Sequence, residues 1–401
     1  MDSLTIKSES IQKFSLFLLI FSFVIFYFSD GLSKILFRTG VEFYRYSQIV
    51  KALFTVIILI YGIITLNKSK ANILIAIILL IINFLIGQYF LSLKFEGIDF
   101  VENTNILFKY LFPFIFFFLV SDIKKMEVPP KSLLSVYKKI IGLNTFILVI
   151  GFILGISVLS TYSGPWRFGY DGLIFAQNEA TFVFIFAITT FYYRRFYLKK
   201  KEFFFWIVLI PSLLVATKGL YLYIVLLLLF HILIRVSLIK LIPVVVSSAL
   251  LGYFLFSSVI NKILINSYET FMYMYDKGGL LFALLSGRDQ YINEKLIPLI
   301  TKYWSFPNYF FGGQDIKEFY IEMGVDIFLF FGFLGSFLYL YVFYKIFSLI
   351  PFERKFKLFF GISLISIVAT AGHFFESGIA GIHFLFMLLI IYFSSQKQNA
   401  I

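Results

Sequence analysis

The chain runs to 401 residues, of which 60% are hydrophobic, 21% aromatic and only 14% charged. A water-soluble globule needs a charged exterior, so this balance excludes one and makes lipid the solvent. The net charge of +13 reads as membrane topology rather than nucleic-acid binding, and the absence of cysteine excludes disulfides, thiolate catalysis and cysteine-based metal sites.

Apolar runs of about 20 residues with few charges have the length of a membrane-crossing helix, and in lipid each run must pair its own backbone groups. Twelve spans are predicted, at 14–29, 47–66, 72–92, 105–121, 139–160, 174–193, 203–217, 219–236, 239–260, 324–348, 358–372 and 377–394. The runs do not alternate as barrel strands would. The expected fold is all-α, a single polytopic membrane domain over 1–401 with one large loop at about 261–323. The first run, "FSLFLLIFSFVIFYFS", has no small-residue cleavage site after it and is read as a retained helix.

The loops sort by charge. Lys68 and Lys70, the lysines from Lys124 to Lys139, "RRFYLKKK" at 194–201, Arg235 with Lys240, and Lys345 to Lys357 fall on one side. The positive-inside rule makes that side cytoplasmic, with both termini on it. Acids collect on the other side, from Glu96, Asp99 and Glu102 to Asp326. One loop is discordant, because Lys34, Arg38 and Arg45 in 30–46 face outward. Spans seven and eight are too long together for one crossing, so a hairpin turning at Lys218-Gly219 is expected. Lys218 is then either a functional charge near membrane depth or a lysine snorkelling to the interface.

The basic loops carry no GxxxxGK[ST] or GxGxxG motif, so no nucleotide-driven engine is expected there. His231, His373 and His383 have no zinc-binding spacing, and no metal or cofactor is expected. Polar chemistry concentrates at five places on the outer side. In "SGPWRFGYDG" (163–172), Trp166 and Arg167 suit sugar and anion contacts, or form an interfacial aromatic belt with a basic anchor. In "FAQNEATFVF" (175–184), Gln177, Asn178 and Glu179 head a span, as a cap or as inward-facing polar groups. Lys218 is the third place. In "LLSGRDQYINEKL" (284–296), Ser286 can cap a helix with Asp289 as its capping-box partner, and Arg288 is either a surface charge in the first turn or an anion ligand there. The fifth is a pair. Asp315, Glu318, Glu322 and Asp326 have helical spacing and are expected on one face, while His373 and Glu376 stand three apart at an outward turn. His373 and Glu376 are a minimal acid–base set or the hydrated surface of that turn.

With these residues in view, the chain resembles the O-antigen and capsule repeat-unit polymerase and ligase superfamily (Wzy-like polymerases and their ligase relatives). The resemblance rests on "WRFGYDGLIFAQNEAT", "ATKGLYLY", "LLSGRDQYINEKL", "QDIKEFYIEMGVDIFLFFGFLG" and "AGHFFESG", spread over roughly 160–390. It implies a GT-C-like fold in a bacterial inner (plasma) membrane. It also implies glycan transfer from undecaprenyl pyrophosphate on the periplasmic side to a hydroxyl of a second lipid-linked oligosaccharide. A flippase and a chain-length regulator are the partners such a polymerase has. Arg167, Arg288 and Lys218 would bind the pyrophosphate, with Trp166 and Asn178 as further substrate contacts. Glu179, Asp315, Glu318, His373 and Glu376 are the acid–base candidates. The ligases carry a histidine in the large outer loop, and 261–323 has none, so the polymerase is the better match. The rival of another class is a flippase, which would line a central cavity open to both sides with its charges.

Overall fold

The computed structural model describes residues 2–42, 45–162, 168–235, 268–280, 285–371 and 373–399, together with 261, 265, 282 and 283. Every regular element among them is helical, apart from one isolated bridge between Ser160 and Tyr170. The principal helices are α1 (Asp2–Arg38), α2 (Tyr46–Ile64), α3 (Lys68–Ser92), α4 (Phe100–Ile123), α5 (Lys131–Leu154), α6 (Gln177–Phe196), α7 (Phe204–Ser212) and α8 (Lys218–Arg235). Three short helices follow, α9 (Arg288–Tyr291), α10 (Phe306–Phe311) and α11 (Ile316–Phe319). The chain then closes with α12 (Asp326–Ser348), α13 (Arg354–Ala371) and α14 (Gly378–Asn399). Eleven of the predicted spans coincide with a helix, and the span expected at 239–260 lies outside the described residues. Seven described helices are long and apolar enough to cross a membrane: α1 to α5, α12 and α14.

Contacts at the helix ends mark the two ends of the bundle, with α3 antiparallel to α4 and α6 parallel to α14. At one end, Lys70 of α3 meets Asp122 of α4 and Arg194 of α6 meets Ser394 of α14. At the other, Lys34 of α1 reaches Asp171, and Glu179 of α6 meets Ser377. The first end carries the basic loops and the second the acids. The discordant basic loop is accounted for locally at the acidic end. Lys34 is buried against Asp171, Arg38 donates to the Ser160 carbonyl at 3.2 Å, and Arg45 lies 3.7 Å from Glu102. Burial pushes the Asp171 carboxyl up to about 6, although the Lys34 ammonium opposes that shift.

The core is aromatic. α4 is buried on every side from Phe112 to Ile123, α6 from Ala180 to Tyr193, and α14 from Gly378 to Ile391. A helix apolar all round belongs inside a bundle. Stacked pairs such as Phe112–Phe116 and Phe23–Phe386, both with centroids 4.1 Å apart, fill it, each worth about 0.5–1.5 kcal/mol beyond burial. By contrast α2, α3 and α12 expose rows of large side chains, including Leu53, Ile60, Ile75, Ile82, Phe333 and Phe337. Those rows suit a lipid surround.

Non-helical backbone enters the bundle at 312–315. Such a segment is stable at membrane depth only if protein groups satisfy it. Here Asn83 of α3 donates to the Phe311 and Phe331 carbonyls at 3.0 and 2.7 Å, Gln88 donates to the Gln314 carbonyl at 3.1 Å, and Asn308 donates to the Gly87 carbonyl at 3.2 Å. The helix α12 opens at Gly332, whose φ is 65°, and a Cβ there would stand 2.4 Å from the Gly312 nitrogen. Only glycine permits that backbone contact. The end of the expected outer loop is therefore wedged between α3 and α12, and the wedge fixes where 320–326 must run.

Candidate active site

A cavity of 260 Å³ opens at the acidic end and is lined by Asn178, Gln177, Lys218, Arg288, Phe168 and Phe271, among others. Each polar member is positioned by local chemistry. The α7–α8 hairpin forms, but it turns at Ala216–Thr217 rather than at the expected Lys218-Gly219, and Lys218 already begins α8. Phe205 packs on Tyr192 at the basic end, the Leu214 and Val215 carbonyls accept from the Tyr170 amide and the Thr161 hydroxyl at the acidic end, and His231 returns to Tyr192. Ala216 takes a left-handed φ of 58° to make the turn. Thr217 then bonds Thr181 of α6 at 2.7 Å, which seats Lys218 beside Gln177 and Asn178. The Lys218 ammonium is exposed at the acidic end and donates to the Ala283 carbonyl at 2.6 Å and the Ser286 hydroxyl at 2.9 Å.

Those bonds overturn the expected capping of "LLSGRDQYINEKL". Gly287, at φ 82°, is the N-cap of α9, and no side chain caps it. Ser286 is left-handed too, at φ 57°, and its hydroxyl serves Lys218 instead. Asp289 forms no capping box, and its Oδ1 is buried without a hydrogen-bond partner among the described residues. The helix widens after Tyr291 into π-turns at Ile292–Leu296 and Leu299–Tyr303, a departure that recurs at functional sites.

Behind the cavity wall runs a chain of charged groups. Arg288 Nη2 lies 3.4 Å from Glu322 Oε2, which lies 3.6 Å from His373 Nε2. His373 Nδ1 lies 3.0 Å from Glu376 Oε1, and the Tyr320 hydroxyl bonds both His373 and Glu376. Burial alone would lower the His373 pKa, but hydrogen bonds and charge from Glu322 and Glu376 raise it to about 10. The same contacts favour the imidazolium form of His373. The bond to His373 holds the Glu322 carboxyl below its usual range against burial. Burial would raise Glu376, and the bond and charge of His373 bring it below its usual range. Burial and then the Glu376 charge push the Tyr320 phenol far above its ordinary value. Glu322 and His373 both hold left-handed φ, 64° and 59°. With Ser286 and Ala216, four non-glycine residues around one cavity carry such strain, at about 1–3 kcal/mol each.

The remaining expected site residues are placed differently. Asp315 is fully buried and structural: it caps α11 by accepting from the Glu318 amide at 3.1 Å, and it accepts from the Asp99 amide at 2.7 Å. Glu318 is exposed, outside the cavity. The expected common face of Asp315, Glu318, Glu322 and Asp326 does not exist, because α11 ends at Phe319 and the chain turns before α12. Asp326 is buried and holds that turn, accepting from the Met323 amide at 2.9 Å and from Gln314 at 2.9 Å. Glu179 accepts from the Ser377 hydroxyl at 2.7 Å, so it touches the turn that carries His373 and Glu376. Trp166 and Arg167 lie outside the described residues. Sequence reasoning missed Tyr320 and missed Glu322 as the link between Arg288 and His373. No metal-holding group of His, Asp and Glu occurs among the described residues. Searches against protein-family models, curated proteins and solved structures return no match.

Proposed function

We propose that this chain is a glycosyltransferase of GT-C-like, twelve-span architecture that joins lipid-linked oligosaccharide repeats. The observation that carries the reading is the shared cavity. Lys218 and Arg288, 70 positions apart in sequence, line it together with Asn178. Two cations in one cavity suit a pyrophosphate leaving group, whose charge grows as the glycosidic bond breaks. A pyrophosphate linked to undecaprenol would enter from the lipid, and its glycan would pass to a hydroxyl of the next repeat. In this reading the basic end faces the cytoplasm, as the positive-inside rule favours, and the cavity faces the periplasmic side of a bacterial inner membrane.

Glu322 and His373 keep Arg288 oriented toward the cavity. Glu376 and Tyr320 hold His373 from behind. Glu179 is the base in this scheme: it follows the cavity-lining Asn178 in the chain, is partly exposed beside that lining rather than within it, and accepts from the Ser377 hydroxyl at 2.7 Å. Purified protein given a synthetic undecaprenyl-pyrophosphate repeat, without nucleotide, should produce a ladder of longer products. Movement of the lipid-linked repeat between leaflets with no ladder would overturn the proposal in favour of a flippase.

A further inference from the structure

A second cavity, of 280 Å³, lies at the basic end, away from the candidate active site. Its lining joins Lys131, Arg194 and Lys200 to apolar walls from Leu134, Ile390 and Phe393. Lys131 begins α5, and Ile390 and Phe393 are near the end of α14, both helices able to cross a membrane. The chain enters α5 through Pro129 and Pro130, which also line the cavity, and no side chain caps that helix.

Arg194 is fixed in place. Its Nε donates to Glu202 at 3.0 Å and its Nη1 to the Ser394 hydroxyl. Glu202 also takes Lys138 at 2.5 Å, so one acid is shared by two cations. Lys131 and Lys200 are exposed. The uncapped start of α5 adds its own positive end to theirs. The cavity therefore has a surplus of positive charge over hydrocarbon walls, at the end of the bundle where the interface of a bilayer would fall. A soluble anion would have no use for the apolar walls, and an apolar ligand would have none for the cations.

We propose that this cavity binds the headgroup of an anionic bilayer phospholipid, with its phosphate among Lys131, Arg194 and Lys200 and its first acyl carbons against Leu134, Ile390 and Phe393. The site does not depend on the catalytic reading, since none of its residues lines the first cavity. The test uses the purified full-length chain in a neutral detergent, with dioleoylphosphatidylglycerol, dioleoylphosphatidylcholine and inorganic phosphate as separate probes. Native mass spectrometry should show one phosphatidylglycerol retained, and this lipid alone should raise the melting temperature. The Lys131→Gln/Lys200→Gln variant should bind it roughly thirtyfold more weakly, at about fivefold per lysine. A Lys68→Gln/Lys355→Gln control, which removes two exposed lysines from the same end, should bind as the wild type does. Equal retention of phosphatidylcholine would overturn the proposal. So would an equal response to inorganic phosphate, or equal weakening in both double variants.

Discussion

Two ionic clusters sit at opposite ends of this bundle, and they are built differently. At the basic end, Lys70 is paired with Asp122 at 2.6 Å and bonds Thr65 at 2.6 Å, while Ser15 donates to the same carboxylate at 2.9 Å and bonds Tyr61 at 2.8 Å. The Lys70 and Asp122 side chains are 0% and 4% exposed, so the cluster is closed upon itself. At the acidic end, the Arg288–Glu322 and Glu322–His373 contacts are longer, at 3.4 and 3.6 Å, and Glu322 is 41% exposed. Arg288 Nε is buried yet makes no hydrogen bond among the described residues. Short, complete contacts fasten helices together. Longer contacts on strained backbone, beside a cavity, hold a guanidinium where a ligand can reach it. The same residue types thus close a fastener in one cluster and, in the proposed function, form part of a site in the other.

The contrast can be broken by substitution. The largest effect is expected at the acidic end: Glu179→Gln should slow ladder formation by roughly 10²–10⁴-fold, the usual worth of a general base, while leaving thermal stability near that of the wild type. A rate within twofold of the wild type would remove Glu179 from the scheme. At the basic end the order reverses. Asp122→Ala strands the Lys70 charge and should destabilise the protein by about 3–5 kcal/mol in a detergent-unfolding titration, with the turnover of the surviving folded fraction unchanged. The pair replacement Lys70→Met/Asp122→Leu should recover most of that stability.

The pH dependence of stability sharpens the comparison further. His373 is raised from 6.5 to about 10, so its contribution is complete below 6.5 and is lost as pH climbs through about 10. Glu322 and Glu376 are lowered from 4.5, so their contribution is complete above 4.5 and is lost as pH falls below it. Melting temperature should accordingly hold between about pH 5 and 6.5, decline on the alkaline side from about 6.5 to about 10, and decline on the acid side below about 4.5. His373→Gln should abolish the alkaline decline, and its persistence in that variant would place the titration elsewhere. The smallest effect belongs to Glu318→Ala, which should shift stability by less than about 0.5 kcal/mol and leave polymerisation intact.

Much of the architecture was legible from hydropathy and loop charge. Apolar length marked the helices, and the sorting of Lys and Arg marked the two ends. The α7–α8 hairpin followed from the length of 203–236 against a bilayer. Patterning could not reveal the backbone between Phe311 and Asp326. Helical spacing put Asp315, Glu318 and Glu322 on one face, but the helix stops at Phe319, and Glu322 enters the site through a left-handed turn. Ser286 looked like a cap because serine favours that position. Its hydroxyl was instead taken by a lysine 68 residues away, a contact no local rule anticipates. Tyr320 carried no signal at all: one tyrosine among 26 gains meaning only from lying between His373 and Glu376.

In the proposed function the acidic-end cavity is the reaction site, and Arg288 holds the leaving pyrophosphate there. The most direct test is single-turnover polymerisation of a synthetic lipid-linked repeat by folded Arg288→Ala protein beside the wild type. The variant should lose about a hundredfold or more in rate, as expected when a charge-stabilising donor is removed. Polymerisation at the wild-type rate would contradict that role for Arg288.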